Sequence, residues 1–141
     1  MDFAKFGSKY IVRLDKGEEI VSMLKDFCSK NSIKLGTVYG LGSTNAITIG
    51  LFNTHEKKYY SKEFKGDFEI LNLTGNISTM NEDTYLHLHV SISDSDLRSY
   101  GGHLNSAIVS GTAEIIVESI EGTVDRKFDS EIGLNLYNFK R

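Results

Sequence analysis

The sequence predicts an α/β fold of the α+β type: a mainly antiparallel, curled or barrel-like sheet of about seven strands, with one main helix packed on it. Three observations carry this expectation. Only one segment has apolar residues recurring at spacings of three and four. Most of the remainder consists of short runs rich in β-branched and aromatic residues, separated by Gly, Asn and Asp. Strand also follows strand without an intervening helix, which is the order of hairpins rather than of parallel crossovers.

Taken along the chain, Tyr10–Leu14 is the first expected strand. The helix follows from about Lys16 to Asn31, where Ile20, Val21, Leu24, Phe27 and Cys28 form one apolar stripe. Asp15 is the expected cap, Glu18 the N3 carboxylate that reaches back to it, and Asn31 a left-handed stop. The further strands are Ile33–Tyr39, Ala46–Phe52, Lys58–Phe64, Phe68–Ile77, Tyr85–Ser93, Ala107–Val117 and Val124–Phe128. Proline is absent, so turns fall to Gly, Asn, Asp and Ser, and any motif that needs proline, such as the Arg-Gly-Arg-Pro core of an AT-hook, is excluded.

At 141 residues the chain can close one core and leaves little room for two, so a single domain over 1–141 is expected. No run approaches the roughly 20 apolar residues that cross a bilayer, and Met1–Gly7 lacks the apolar stretch of a secretion signal, so a cytoplasmic protein without membrane contact is expected. Cys28 is the only cysteine, which excludes an internal disulfide and any clustered-thiolate metal site. On the apolar stripe it reads as a packing residue rather than a nucleophile. The formal charge of -3 opposes the broad positive field of most nucleic-acid binders.

Gly40-Leu41-Gly42-Ser43-Thr44-Asn45 superficially resembles a dinucleotide-binding loop. The third glycine position is Asn45, and Ala46–Ile49 reads as strand where a helix must begin, so a bend with closely approaching backbones is the reading that fits. Lys57–Lys65 interleaves lysines with aromatics, as single-stranded nucleic-acid sites do, but an edge strand protected by lysine accounts for the same pattern. Asn72-Leu73-Thr74 and Asn76-Ile77-Ser78 match glycosylation acceptors, which carry no meaning without secretion.

The strongest chemistry is in Tyr85-Leu86-His87-Leu88-His89-Val90. Strand alternation puts Leu86, Leu88 and Val90 on one face and both histidines on the other, about 6.5–7 Å apart at their α-carbons. A reversal centred on Asp96, within the turn-forming Asp94-Ser95-Asp96, sets His103 opposite His89 on an antiparallel neighbour. His87, His89 and His103 are therefore the expected ligands of a metal, zinc or another divalent ion, with a fourth position open. His55, in the turn Asn53–Glu56, reads as solvated. No acid is fixed beside the histidines as a general base; Glu114, on the adjoining strand, is the one offered for that role.

Seven short motifs in order resemble the plants-and-prokaryotes-conserved (PPC) domain family: Gly17-Glu18-Glu19-Ile20, Gly40-Leu41-Gly42-Ser43 with Asn45 and Ala46, Gly66–Leu71, Leu73–Ser78, His87–Val90, Tyr100–Leu104 and Gly111–Glu114. The resemblance covers nearly the whole chain. It implies an α/β domain with a mainly antiparallel sheet beside the helix, a homotrimer, and a metal on the three histidines. It also implies a DNA-binding label, which this sequence weakens because plant members hold DNA through an AT-hook. Two function classes remain: a trimeric, metal-bearing binding module whose DNA association is weak or indirect, and a zinc-dependent enzyme acting on a small molecule.

Overall fold

Period-two alternation shapes most of the chain. In β2 (Lys9–Asp15), Tyr10, Val12 and Leu14 are buried while Ile11 and Arg13 face out. The computed structural model describes residues 1–139; residues 140 and 141, the end of the expected 1–141 unit, lie outside them. With β1 (Asp2–Phe6) and β2 come α1 (Ile20–Lys30), β3 (Gly36–Asn53), β4 (Lys58–Met80), β5 (Asp83–Ser93), β6 (Ser99–Ser119), β7 (Asp125–Asp129) and β8 (Leu134–Asn138). The strands form one sheet in the order β1-β2-β6-β3-β4-β7-β8, and β5 pairs with both β4 and β6. Strands β3, β4, β5 and β6 thereby close a ring, which is the curled, antiparallel sheet the sequence predicts; the β4–β7 contact at Thr79 and Asp125 is parallel.

The helix lays Ile20, Leu24, Phe27 and Cys28 into the core, as its stripe requires. It begins at Ile20 rather than Lys16, because Gly17 adopts φ +88° and the backbone of Gly17 and Glu18 bonds to Val109 of β6 instead. The expected reach-back contact does form, with Glu18 accepting from the Asp15 N–H at 2.8 Å, but it closes a turn ahead of the helix. Glu19 is the cap, accepting from Val21 and Ser22, and its carboxylate also receives the Ala107 N–H of β6. Asn31 ends the helix at φ -96°, and the left-handed residue is its neighbour Ser32.

Several expected strands prove to be halves of longer ones. Ile33–Tyr39, strand only from Gly36 on, and Ala46–Phe52 join within β3, with register shifts at Gly40/Gly42 and Thr44/Ala46 where a bend was expected. A β-carbon on Gly40 would lie 2.6 Å from the Glu114 carbonyl oxygen, and one on Gly42 2.4 Å from that of Thr112, so both glycines admit β6 rather than a phosphate. Lys58–Phe64 and Phe68–Ile77 join as β4, whose first half pairs with β3 alone while its pairing with β5 begins at Glu69. That half is the lysine-bearing edge predicted, and Lys58 and Lys62 lie over the rings of Tyr60 and Phe64. Strand β1 carries no alternation of burial to betray it, and β8 likewise lies beyond the expected strands. Among the described residues, no helix is long and apolar enough to cross a membrane.

Candidate metal centre

In β5, Leu88 and Val90 enter the core, which turns His87 and His89 to the outer face. The chain then reverses through a turn held by Asp94, whose carboxylate accepts from the Asp96 and Arg98 N–H groups at 3.0 and 2.9 Å and from the Tyr100 hydroxyl at 3.1 Å. The return strand β6 places His103 directly opposite His89. Imidazole centroids are 5.1 Å apart for His87 and His89, 5.3 Å for His87 and His103, and 5.6 Å for His89 and His103. One nitrogen from each of the three lies within 4.8 Å of the others. Gly75 makes room for this arrangement, since a β-carbon there would sit 2.1 Å from the His87 carbonyl oxygen.

His87 and His103 are half-buried and His89 is exposed. Burial pushes the His87 imidazole down to about 4, and the nearby His103, His89 and Arg126 charges act in the same direction. Burial, and then His89, also lowers His103. Neutral imidazoles are the form that ligates a metal. Three nitrogens with neither thiolate nor carboxylate form a donor set that suits zinc and leaves a coordination position beyond the protein's own ligands.

The structure thus brings His87, His89 and His103 together and leaves His55 apart, exposed in its turn with its backbone N–H on Asn53 Oδ1. Glu114 does not adjoin the histidines: it pairs with Leu41 and Arg13, so β3 and β4 intervene between it and β5. Its assignment as a base fails because the ring carries β6 from the histidine strand at one end to β2 and β3 at the other.

The neighbours of the triad escaped sequence reasoning. Tyr59 sets its ring edge-on to His103 at 6.2 Å and donates its hydroxyl to Asn105 at 2.6 Å. Asn76 lies directly across from His87, on the same face. Arg126, 7% exposed, donates Nη2 to Asn76 Oδ1, Nε to Ser78 Oγ and Nη1 to the Asn135 carbonyl, each at 2.8 Å. Its guanidinium lies between the rings of Tyr85 and Tyr137, at 4.6 and 4.3 Å. The alternation that found the histidines also puts Asn76 and Ser78 on one face, but no local pattern marks the arginine.

The family model of the Plants and Prokaryotes Conserved (PCC) domain matches residues 1–121. The chain belongs to the PCC domain family. Among solved PCC-like structures, one described as a candidate DNA-binding protein from Bacteroides thetaiotaomicron is 42% identical, with 99% of this chain and 98% of that chain covered and a TM-score of 0.97. A metal-containing protein from Archaeoglobus fulgidus is 31% identical over 99% of both chains, with a TM-score of 0.88. The bifunctional protein GlmU of Synechococcus sp. (strain JA-3-3Ab) is 29% identical over 127 residues, 88% of this PCC chain. The chain spans only 19% of that protein's length.

Proposed function

We propose that this PCC chain is a cytoplasmic, homotrimeric metal-binding module, with zinc or another divalent ion held by His87, His89 and His103 and any DNA association weak or indirect. The observation that carries it is the convergence of three imidazole nitrogens on one face, supplied by a β5–β6 hairpin whose inner face is anchored in the core. The metal-containing Archaeoglobus relative supports the same reading. When bound, zinc supplies a Lewis acid with a position for water or a ligand oxygen. The trimer rests on the family resemblance and on an exposed apolar stretch of the outer sheet face formed by Ile11, Tyr39, Leu41 and Leu71, which a second copy would cover. A cytoplasmic setting agrees with the one thiol being buried and unpaired.

A second reading, a zinc-dependent enzyme on a small molecule, is favoured by one observation: the described residues contribute three ligands, as catalytic zinc sites do. Metal content per chain, measured on protein purified without a histidine tag, tests the site. About one ion per chain is expected in wild type and in His55→Ala, with loss in His87→Ala, His89→Ala and His103→Ala. Undiminished occupancy in those three overturns the assignment, and sedimentation as a monomer at micromolar concentration overturns the trimer.

A further inference from the structure

Arg126 carries a buried positive charge with no acidic partner among the described residues. None of the ion pairs among the described residues includes it, and its three hydrogen bonds go to a hydroxyl, an amide oxygen and a backbone carbonyl. Asp125, beside it in sequence, instead receives the Thr79 hydroxyl at 3.1 Å. Five N–H groups less three leaves two without an acceptor among the described residues. A guanidinium removed from water in this way is costly unless something supplies the opposite charge.

The register shows where that charge belongs. Ser78 lies opposite Tyr85 and Asn76 opposite His87, so the groups that hold Arg126 share the outer face with the three histidines. The Asn76 amide has a fixed sense, because its oxygen accepts from Arg126 and its nitrogen therefore remains a donor beside His87. A guanidinium and an amide N–H₂ thus lie on the same face as the three imidazoles, two donor groups beside the nitrogens that would hold a metal.

We propose that Arg126 and Asn76 form an oxyanion subsite beside the three histidines, and that its ligand is a small carboxylate. One guanidinium balances one negative charge, which matches a carboxylate better than a phosphate dianion, and the planar fork presents paired donors to paired oxygens. Arg126 lies beyond the residues 1–121 matched by the family, so the subsite belongs to the β7–β8 hairpin of this chain. The inference deepens the proposed metal-binding role and rests on it only in expecting the metal's charge to strengthen carboxylate binding.

The test is thermal denaturation of the full chain, metal-free and zinc-loaded, in sodium acetate against sodium chloride of equal ionic strength, with a sodium phosphate arm. Acetate is expected to raise the melting temperature of the metal-free wild type above chloride, since a ligand that binds only the folded state stabilises it, and to raise it further in the zinc-loaded protein. Asn76→Asp places a carboxylate against Nη2, so it should melt higher than wild type without acetate and lose the acetate response while still binding zinc. If Asn76→Asp does not fold, Arg126→Lys carries the test, and its half-saturating acetate concentration should rise about tenfold as the fork is lost. Equal melting in acetate and chloride overturns the subsite, as does an acetate response that Asn76→Asp, or Arg126→Lys where it carries the test, leaves unchanged; a response to phosphate alone overturns the carboxylate. A wild type that responds to acetate but binds no zinc sinks the metal reading and leaves the subsite standing.

Discussion

His89 of β5 stands directly opposite His103 of β6, the two related by a reversal whose midpoint is Asp96. Asp94 rather than Asp96 sets that reversal, since it gathers two backbone N–H groups and the Tyr100 hydroxyl, whereas Asp96 offers its carboxylate only to the exposed Arg98 side chain. Asp94→Ala should therefore lower the melting temperature and weaken zinc binding by up to about tenfold, the lower end of what losing a group that orients ligands costs. Asp96→Ala should change neither. Competition with a chelating dye measures the affinities, and equal values for the two variants would remove Asp94 from this role.

Gly75 lies against the strand that carries His87. An added β-carbon meets the His87 carbonyl oxygen at 2.1 Å and Leu88 Cδ2 at 2.8 Å, so β4 and β5 must separate locally. Gly75→Ala should cost about 1–3 kcal/mol, the usual range for overpacking, as read from urea denaturation midpoints. A neutral substitution would show that the two strands are not held at this spacing.

Burial pushes the Cys28 thiol from its ordinary 9.0 up to about 12. The folded value is raised above the unfolded one, so the stability gained by keeping the thiol neutral is complete below about pH 9 and is lost as pH rises toward 12. The stability advantage of wild type over Cys28→Ala should shrink across that window and stay constant between about pH 6 and 8. In native protein a thiol reagent should find Cys28 unreactive, and in denaturant fully reactive.

Tight binding of duplex DNA is not expected. Each chain carries -3, which gives -9 for a trimer (3 × -3) and opposes a polyanion. The basic cluster of Lys57, Lys58, Lys62 and Lys65 has partners within the chain: Lys57 donates to the Ser130 carbonyl, Lys58 and Lys62 cover aromatic rings, and Lys65 pairs with Glu63. Labelled duplex titrated at about 150 mM and about 50 mM salt should show at most weak binding that strengthens at the lower salt. Submicromolar affinity at the higher salt, lost on replacing these four lysines, would reverse this conclusion.

The histidine hairpin was legible because a strand's period is two and a turn's midpoint follows from simple counting. The start of the helix was not. Gly17 and Glu18 bond to Val109, more than ninety positions away in sequence, and no cap rule anticipates a partner in another strand. The joined strands escaped for a related reason: Gly40–Asn45 reads as a break, yet bulges let pairing with β4 and β6 continue through it. Arg126 was the least accessible, since two of its three partners, Ser78 and Asn76, are 48 and 50 residues distant and its charge alone predicts an exposed side chain.

Strand β6 runs unbroken from Ser99 to Ser119, with His103 near one end and, near the other, Ile116 opposite both Ile11 and Tyr39 of the exposed apolar stretch. The two ends belong to one strand clamped by its neighbours along most of its length, although its pairing with β3 is offset at Asn105 and again at Ser110–Thr112. Mechanically β6 is a jointed tie rod: a pull on the histidine end reaches the apolar end through those two offsets. Backbone hydrogen exchange along it should accordingly slow as one block when either end is occupied, so that filling the histidines and covering the apolar face stiffen the same element.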